Sequence, residues 1–229
     1  MIFQDNLSVM RLQRRFKDLG IEGVAARWYD GNTRKHRIGE MKQYANEVVK
    51  HIRDGSSIIE IAAGPGYLSI ELTKLGRYKI IGLDISKEFV EIARRNAKEA
   101  GVNVEFRRGT VSQIPFRDNT FDFIICTAAF KNFKDPFKAL DEMNRVLRPS
   151  GTALIIDMDK NASNQQIQNY IERTGAKGID KFIMKAIFTH FLRNGAYTKD
   201  ELISIISRTA FDKYNIKQEG IGFYIYLTK

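Results

Sequence analysis

Cysteine and histidine are scarce in this chain of 229 residues. Cys126 is the single cysteine, so no internal disulfide can form and nothing in the sequence indicates an oxidising compartment. The three histidines, His36, His51 and His190, lie far apart, and no cysteine or histidine cluster has the spacing of a metal site. We therefore expect neither a disulfide framework nor a bound metal.

Long hydrophobic runs are also missing. No window approaches eighteen consecutive apolar residues, and residues 1 to 5 carry no basic segment ahead of an apolar core of signal length. These absences predict a cytoplasmic protein without membrane insertion. The length suits one α/β sheet with a cap, and no repeat or low-complexity linker divides the chain.

Acidic residues are outnumbered, since 27 Asp and Glu stand against 37 Lys and Arg, for a formal net charge of +10. The surplus is spread over the N-terminal, central and C-terminal segments. It clusters locally at Arg11, Arg14, Arg15 and Lys17, and at Arg34, Lys35 and Arg37. These clusters could contact nucleic-acid phosphates, but a solvated helix face is the favoured interpretation.

A glycine loop between two predicted strands is the most informative motif. Residues 58 to 61 predict a strand buried on both faces, and Gly64 and Gly66 follow it ahead of a predicted helix. A second apolar run ends at Asp84. In a parallel sheet, loop and carboxylate lie together at the carboxyl ends of adjacent strands, where Asp84 can accept hydrogen bonds from ribose hydroxyls. The motif therefore predicts a nucleoside site.

The third glycine of a dinucleotide-binding G-x-G-x-x-G motif is missing, because Ser69 takes its place. Pro65 lies between the two glycines, and Glu60 precedes the loop. A carboxylate at this position would repel a pyrophosphate but attract a cationic ligand that carries an amino group. The loop therefore favours S-adenosylmethionine over NAD.

Further motifs keep the order and spacing of a known family. They are Glu60-x-Ala62-x-Gly64-x-Gly66, Asp84 after the second strand, QIPF at residues 113 to 116 ahead of FDFIIC at residues 121 to 126, and RVLRPSGT at residues 145 to 152. Together they cover about residues 40 to 157. The chain resembles the class I S-adenosylmethionine-dependent methyltransferases, in the small-molecule branch that includes the quinone-biosynthesis C-methyltransferases.

This resemblance implies a Rossmann-like, doubly wound sheet of seven strands in the order 3-2-1-4-5-7-6, with an antiparallel last hairpin. Periodicity alone predicts only alternating strands and helices. We expect a single domain over residues 1 to 229. It comprises an N-terminal helical cap at 1 to 55, a cofactor-binding core at 56 to 157, a helical lid insertion at 158 to 197, and a final helix and β-hairpin at 198 to 229.

Within the cap, the apolar spacing predicts helices over residues 7 to 19 and 34 to 53, with an aromatic turn at residues 28 to 31 between them. Within the lid, the pattern predicts a helix from about residue 180 to residue 193. In the resembling family, an insertion at the lid position commonly covers the substrate.

The resemblance also implies roles for the residues at matching positions. Glu60 is expected to face the methionine amino group, directly or through water. Ala62, Gly64 and Gly66 would supply backbone that approaches the cofactor closely, and Asp84 would hold the ribose hydroxyls.

The adenine end departs from the family pattern. Family members usually carry Gly-Asp after the third strand, with the Asp bound to the adenine amino group, whereas Gly109 is followed here by Thr110. The Thr110 hydroxyl can accept one hydrogen bond and the Val111 amide can donate one, so we expect recognition through backbone and shape. Ile85 is expected to pack on the adenine face, and Thr127, the first residue of the loop after the fourth strand, is expected to be a further cofactor contact.

The loop after the fourth strand is expected to border the transferable methyl group. It lacks the Asn/Asp-Pro-Pro-aromatic motif of enzymes that methylate adenine or glutamine amides, which argues against those targets. Candidates for the acceptor pocket are Trp28, Tyr29, Phe130, Lys131, Asn132, His190, Phe191 and Tyr197. For His190 a packed or solvated helix position is the favoured alternative, and for Lys131 a surface position is equally acceptable.

The leading hypothesis is methyl transfer from S-adenosylmethionine to a small, partly apolar acceptor by in-line displacement, with no evident general base. An RNA methyltransferase that uses the basic N-terminal clusters is the first alternative. A non-catalytic S-adenosylmethionine-binding protein is another, and a dehydrogenase is the least favoured. The sequence indicates neither the acceptor nor the oligomeric state.

Overall fold

The computed structural model describes residues 17 to 229, without the side chain of Phe191. Seven strands form one sheet in the order β3-β2-β1-β4-β5-β7-β6. They are β1 (Ser57–Ile61), β2 (Lys79–Asp84), β3 (Glu105–Arg108), β4 (Phe121–Thr127), β5 (Leu147–Met158), β6 (Lys213–Glu219) and β7 (Gly222–Thr228). The first five strands pair in parallel, and β7 is antiparallel to both of its neighbours. The predicted fold and strand order are confirmed.

Nine α-helices accompany the sheet in the described part of the chain. They are α1 (Gly23–His36), α2 (Ile38–Val48), α3 (Tyr67–Thr73), α4 (Lys87–Glu99), α5 (Pro136–Val146), α6 (Asn164–Arg173), α7 (Gly178–Ala186), α8 (Arg193–Gly195) and α9 (Lys199–Ile206). A 3-10 turn at Phe130–Asn132 follows β4, and a π-helical segment at Ile187–Leu192 continues α7. At the start of α9, the Thr198 hydroxyl accepts from the Glu201 amide and the Glu201 side chain accepts from the Thr198 amide, which together form a capping box.

The core lies on both faces of the sheet. Ile58 and Ile59 are adjacent in β1 and fully buried, yet they belong to apolar clusters on opposite sides. On one side Ile58 packs in a cluster with Leu68 of α3, and on the other Ile59 shares a cluster with Leu140 of α5. A strand buried on both faces, as the apolar run predicts, is what fixes the glycine loop at its carboxyl end.

The cap differs from its prediction. Residues 28 to 31 lie inside α1 and do not form a turn, because the buried Asp30 accepts hydrogen bonds from Tyr67 (2.7 Å) and Asn96 (3.0 Å) in other elements. The predicted helix over residues 34 to 53 is divided, since α1 ends at His36 and α2 covers Ile38–Val48. The helix expected over residues 7 to 19 lies outside the described residues, save its last three positions.

The lid contains more helix than its sequence pattern predicts. Helix α6 was not expected, because its sequence is largely polar and only Ile167 and Ile171 are buried. Its overlooked signal is the capping box, in which Ser163 and Gln166 exchange hydrogen bonds. Helix α7 and the π-helical segment then occupy the region where a single helix was predicted.

Candidate active site

A cavity of about 490 Å³ opens at the carboxyl ends of the parallel strands, around the point where the strand order reverses. Asp84 at the end of β2, Thr127 at the end of β4 and Asp157 near the end of β5 contribute to its wall. Tyr29 of α1 and Met184 of α7 close it from the cap and the lid. The fold therefore brings the predicted nucleoside site and the predicted lid to one space.

The two glycines of the loop have different surroundings, although both adopt positive φ angles, +54° at Gly64 and +80° at Gly66. A Cβ on Gly64 would meet no atom within 4 Å, and Gly64 lines the cavity. A Cβ on Gly66 would lie 2.6 Å from the Phe106 ring and 2.9 Å from the Ala93 side chain. Gly66 therefore permits close packing behind the loop and does not line the cavity, which corrects its predicted place.

Asp84 is buried and holds the loop from below. One oxygen accepts from the Gly64 amide at 2.8 Å and the other from the Ser86 amide at 2.8 Å. Burial raises the pKa of Asp84, while these two amides oppose the shift. Each carboxylate oxygen can accept a second hydrogen bond, so Asp84 can hold the loop and still bind two hydroxyls from the cavity.

Glu60 is 2% exposed and faces the start of α3. Its Oε2 accepts from the Ser69 amide at 3.0 Å and from the Ser69 hydroxyl at 2.5 Å. Burial raises the pKa of Glu60 to about 7, although the two hydrogen bonds from Ser69 act to lower it. Ser69, which replaces the third glycine, is thus the partner of this carboxylate. Glu60 lines a side pocket of about 40 Å³ that it shares with Ala62 and Gly64, and not the large cavity.

The adenine-end residues lie together in the wall of the large cavity. Ile85, Thr110 and Val111 all line it next to Asp84. The Gly109 amide donates to the Asp84 carbonyl at 2.9 Å, which ties the two strand ends together. The Thr110 hydroxyl accepts a long hydrogen bond from the Ser112 amide at 3.3 Å, so its cavity-side role stays a prediction.

The loop after β4 carries a buried ion pair. Lys131 is 2% exposed, so the alternative of a surface lysine is wrong. Its ammonium donates to Asp157 Oδ1 at 2.7 Å and to the Ala128 carbonyl at 2.6 Å. Ala128 adopts a positive φ of 56°, which is costly for a residue with a Cβ. Thr127, Lys131 and the exposed Asn132 all line the cavity, as predicted.

Three predicted pocket residues do not line the cavity. Phe130 is 1% exposed and packs in the core against Phe133 and Tyr197, whose ring centroids lie 5.8 Å and 5.7 Å away. Tyr197 is held beside the core by the same contact. His190 is an exposed residue of the π-helical segment, as its alternative interpretation held. The 3-10 turn explains why Phe130 does not line the cavity, because the turn directs the Phe130 ring into the core and leaves Lys131 beside Asp157. Phe191 has no described side chain.

A polar network in the cavity wall was not predicted. Arg37 donates to Glu40 at 2.7 Å and to the Tyr29 hydroxyl at 3.0 Å. Glu40 also accepts from the hydroxyls of Tyr44 at 2.8 Å and Tyr170 at 3.0 Å. Tyr170 belongs to the lid and the other four residues to the cap. Of the five, the sequence-based prediction had included only Tyr29.

The charges of this network stabilise one another. Burial would lower the pKa of Arg37, but the Glu40 carboxylate and the tyrosines outweigh it, so the pKa is raised well above its usual value. Burial and the Glu40 charge also raise the pKa of Tyr44 and of Tyr170. The tyrosines therefore stay neutral hydrogen-bond donors, and the Glu40 carboxyl group already accepts three hydrogen bonds.

The second basic cluster of the sequence is not a free surface patch. Arg34 donates to Tyr67, Asn96 and Glu99, at 2.9 to 3.0 Å. Lys35 pairs with Asp180 of the lid at 2.6 Å, and Arg37 belongs to the buried network. Arg11, Arg14 and Arg15 of the first cluster lie outside the described residues.

Two further observations concern residues 17 to 229 only. None of their helices has the length and apolar character needed to cross a membrane. They also contain no group of three or more histidine, cysteine, aspartate or glutamate side chains arranged to bind a metal ion.

The sequence comparisons match this chain to methyltransferases. A family model described as a methyltransferase domain matches residues 59–155. The ubiquinone/menaquinone biosynthesis C-methyltransferase UbiE of Bdellovibrio bacteriovorus is 28% identical over 82% of this chain and 90% of that protein. A UbiE of Escherichia coli is 33% identical, over 48% of this chain and 45% of its own length. The chain therefore spans under half of the second relative and most of the first.

Solved structures share the fold. A Methanococcus maripaludis protein assigned to the S-adenosyl-L-methionine-dependent methyltransferases superposes with a TM-score of 0.73, at 23% identity, over 90% of this chain and 92% of that one. The plantazolicin methyltransferase BpumL, solved with S-adenosylhomocysteine, superposes with a TM-score of 0.72, at 12% identity, over 100% and 99% of the two chains. At such identities these likenesses concern the fold alone.

The strand order, the loop at the switch point and the matched domain define the class I S-adenosylmethionine-dependent methyltransferases. This chain resembles that class, and the quinone-biosynthesis C-methyltransferases within it, and it is a methyltransferase with S-adenosylmethionine as its cofactor.

Proposed function

We propose that this methyltransferase acts on a small, partly apolar acceptor held between the cap and the lid. The observation that carries the proposal is the continuity of the cavity, which runs from Asp84 to the lid helices. Its far part is lined by apolar and aromatic side chains: Tyr44, Met184, Ile187, Phe188, Leu192 and Tyr224. The UbiE relatives, named for C-methylation, support an acceptor of this kind.

The cofactor is proposed to occupy the part of the cavity nearest the strand ends. Asp84 would bind the ribose hydroxyls with its spare acceptor capacity, and Ile85, Thr110 and Val111 would surround the adenine. The open space in front of Gly64 fits a ligand that approaches the backbone closely.

The methionine end is proposed to lie beside Ala62 and Thr127. Glu60 and Arg37 both line the side pocket at this point, and Arg37 lines the large cavity as well. Their opposite charges suit the amino and carboxylate groups of a methionine moiety. Arg37 has five N–H donors, and the two bonds described for it leave others for a carboxylate.

When bound, S-adenosylmethionine supplies a methyl group on a sulfonium that is already activated toward displacement. The chain would contribute alignment, and the lid would exclude water. Asp157 and Glu40 in the wall are poor candidates for a general base, because each already accepts three hydrogen bonds. We therefore place proximity and orientation before proton abstraction in this enzyme.

The first test is calorimetric binding of S-adenosylmethionine to native protein, to Asp84→Ala and to Asp141→Ala. Loss of two charge-assisted hydrogen bonds, at roughly 1.5 kcal/mol each, predicts about 100-fold weaker binding to Asp84→Ala. Asp141 is exposed on α5, away from the cavity, so its variant should bind like native protein. No native binding at millimolar ligand, or equal affinities throughout, would contradict the proposed site.

The second test measures S-adenosylhomocysteine release with a panel of small hydroxylated aromatic and aliphatic acceptors, and with RNA. The proposal expects release with small acceptors and none with RNA. Release with RNA alone would show that the acceptor class is wrong. Cofactor binding without release on any acceptor would support a non-catalytic binding protein.

A further inference from the structure

The Lys131 and Asp157 pair is built into the cavity wall at the ends of β4 and β5. Both residues are buried, and both line the cavity. A buried ion pair is weak evidence of a stabilising role, because replacing such a pair with apolar groups of similar volume is often neutral or favourable. Its position at the predicted methyl-transfer region therefore calls for a functional reason.

Hydrogen bonds fix the pair in one arrangement. Asp157 Oδ1 accepts from the Lys131 ammonium and from the Met158 amide, each at 2.7 Å, and Asp157 Oδ2 accepts from the Lys131 amide at 2.9 Å. The ammonium uses one more N–H on the Ala128 carbonyl. An ammonium carries three N–H groups, so one donor remains beyond those described. Asp157 already accepts three hydrogen bonds, so it is a poor candidate for a base.

The titratable groups beside the pair are neutral. Cys126 of β4 is fully buried, and burial raises its thiol pKa well above the usual value. Burial likewise raises the pKa of Tyr197, which precedes α9. The neighbouring Thr127 and Asn132 carry no charge. Asp157 is the acidic side chain in contact with Lys131, and Asp18, which also lines the cavity, contacts the same loop by accepting from the Lys134 amide at 3.0 Å.

From this geometry we infer that Lys131 forms an oxyanion subsite at the cavity floor, and that the acceptor reacts as a phenolate or enolate. The inference rests on the proposed function and deepens it. The Lys131 ammonium is already held in place by Asp157 and by the Ala128 carbonyl. It therefore needs little reorganisation when the anionic oxygen of the acceptor binds beside it. It also favours the ionised form of a nearby hydroxyl, so that water can remove the proton without a protein base.

The chemistry balances without a further reactant. The acceptor hydroxyl gives its proton to water and leaves an oxyanion beside Lys131. An electron pair from this oxygen, or from the carbon conjugated to it, forms the new bond to the methyl carbon as the bond from methyl to sulfur breaks. The sulfur keeps that bonding pair and becomes a neutral thioether. When an aromatic carbon attacks, that carbon then loses its proton to water, and this restores the aromaticity of the ring.

The test uses 4-nitrophenol, whose phenolate is measured by visible absorbance, on protein saturated with S-adenosylhomocysteine. The variant Lys131→Met/Asp157→Asn removes both charges together and keeps a carbonyl oxygen for one of the two backbone amides, at positions 131 and 158, that donate to separate oxygens of Asp157. Lys134→Met, an exposed lysine of the same loop, is the matched control. An opposite charge at close range lowers a pKa by roughly one to three units. Bound 4-nitrophenol should therefore titrate lower in native protein than in the double variant, by less than this range because the variant also removes the Asp157 anion.

Each outcome decides between the alternatives. A lowered pKa in native protein and Lys134→Met, lost in the double variant, supports the subsite. An equal pKa of bound 4-nitrophenol in all three proteins overturns it, and so does the absence of 4-nitrophenol binding at millimolar concentration. Native protein that binds 4-nitroanisole, which has no hydroxyl to ionise, as tightly as 4-nitrophenol also overturns it. S-adenosylhomocysteine binding is measured in the same samples by calorimetry, and its absence in native protein would instead refute the proposed cofactor site.

Discussion

The two parts of the cavity are built in different ways. In the cofactor part, strand ends and loop backbone are brought together by residues close in sequence, as in the contact of Asp84 with Gly64. In the acceptor part, side chains from the cap and the lid meet across long separations, as Glu40 and Tyr170 do. Backbone geometry therefore shapes the first part, and buried polar side chains shape the second.

This difference predicts where substitutions act. Changes of charge should cost most in the proposed acceptor part, where the half-buried network has little solvent to replace a lost partner. Changes of backbone freedom should matter most in the cofactor part, where residues with a Cβ occupy left-handed conformations.

The largest expected effect is that of Arg37→Met on stability. Its side chain is 11% exposed and that of Glu40 is 16% exposed, so removing Arg37 leaves the Glu40 charge largely shielded from water. We expect a cost of about 3 kcal/mol, at the lower end of the range for breaking a buried pair. Arg27, also on α1, is 57% exposed and pairs with Glu88 at 2.8 Å, so Arg27→Met should cost about 1 kcal/mol or less. Urea unfolding of both variants measures the two free energies.

The double variant Arg37→Met/Glu40→Gln sharpens this comparison. Because it removes both charges together, it should recover much of the stability lost in Arg37→Met. If Arg37→Met were as mild as Arg27→Met, the network would not be the buried, coupled unit described here.

Glu60→Gln probes the boundary between the two parts. In the folded protein the pKa of Glu60 is about 7, against an ordinary value of 4.5, so the folded state binds this proton more tightly than the unfolded state. Stability from this group is therefore complete below pH 4.5 and falls as the pH rises to 7, by up to about 3 kcal/mol. In Glu60→Gln this loss should disappear.

The measurement is the free energy of unfolding of native protein and Glu60→Gln at several pH values from 4.5 to 8. The difference between the two curves should change across this window and level off above pH 7. Parallel curves would mean that Glu60 is ionised throughout and that burial does not govern its titration.

The same division explains what the sequence could predict. The loop and Asp84 follow from local motifs, because parallel strands bring their carboxyl ends together whatever the distant residues are. The strand order was implied by the resemblance to a known family, since periodicity alone predicts only alternating strands and helices. The role of Gly66 could not be seen, since it depends on the Phe106 ring of another strand. Glu40 and Tyr170 are 130 residues apart, and no local pattern indicates that they meet.

The smallest expected effect is a gain of stability in Ala62→Gly. Ala62 has a φ of +56°, and relieving a left-handed residue is worth about 1–2 kcal/mol, whereas the added freedom of glycine in the unfolded chain costs about 0.5–1 kcal/mol. The net expectation is a stabilisation of about 0.5 kcal/mol.

The control is Ala63→Gly, next along the chain, because Ala63 is 7% exposed and has no positive φ. That variant should lose about 1 kcal/mol, since it gains the same freedom in the unfolded chain and loses a buried methyl group. Opposite signs for two neighbouring alanines in urea unfolding would show that backbone conformation governs the cofactor part. A loss in both would mean that the Ala62 methyl group contributes more by packing than its backbone costs in strain.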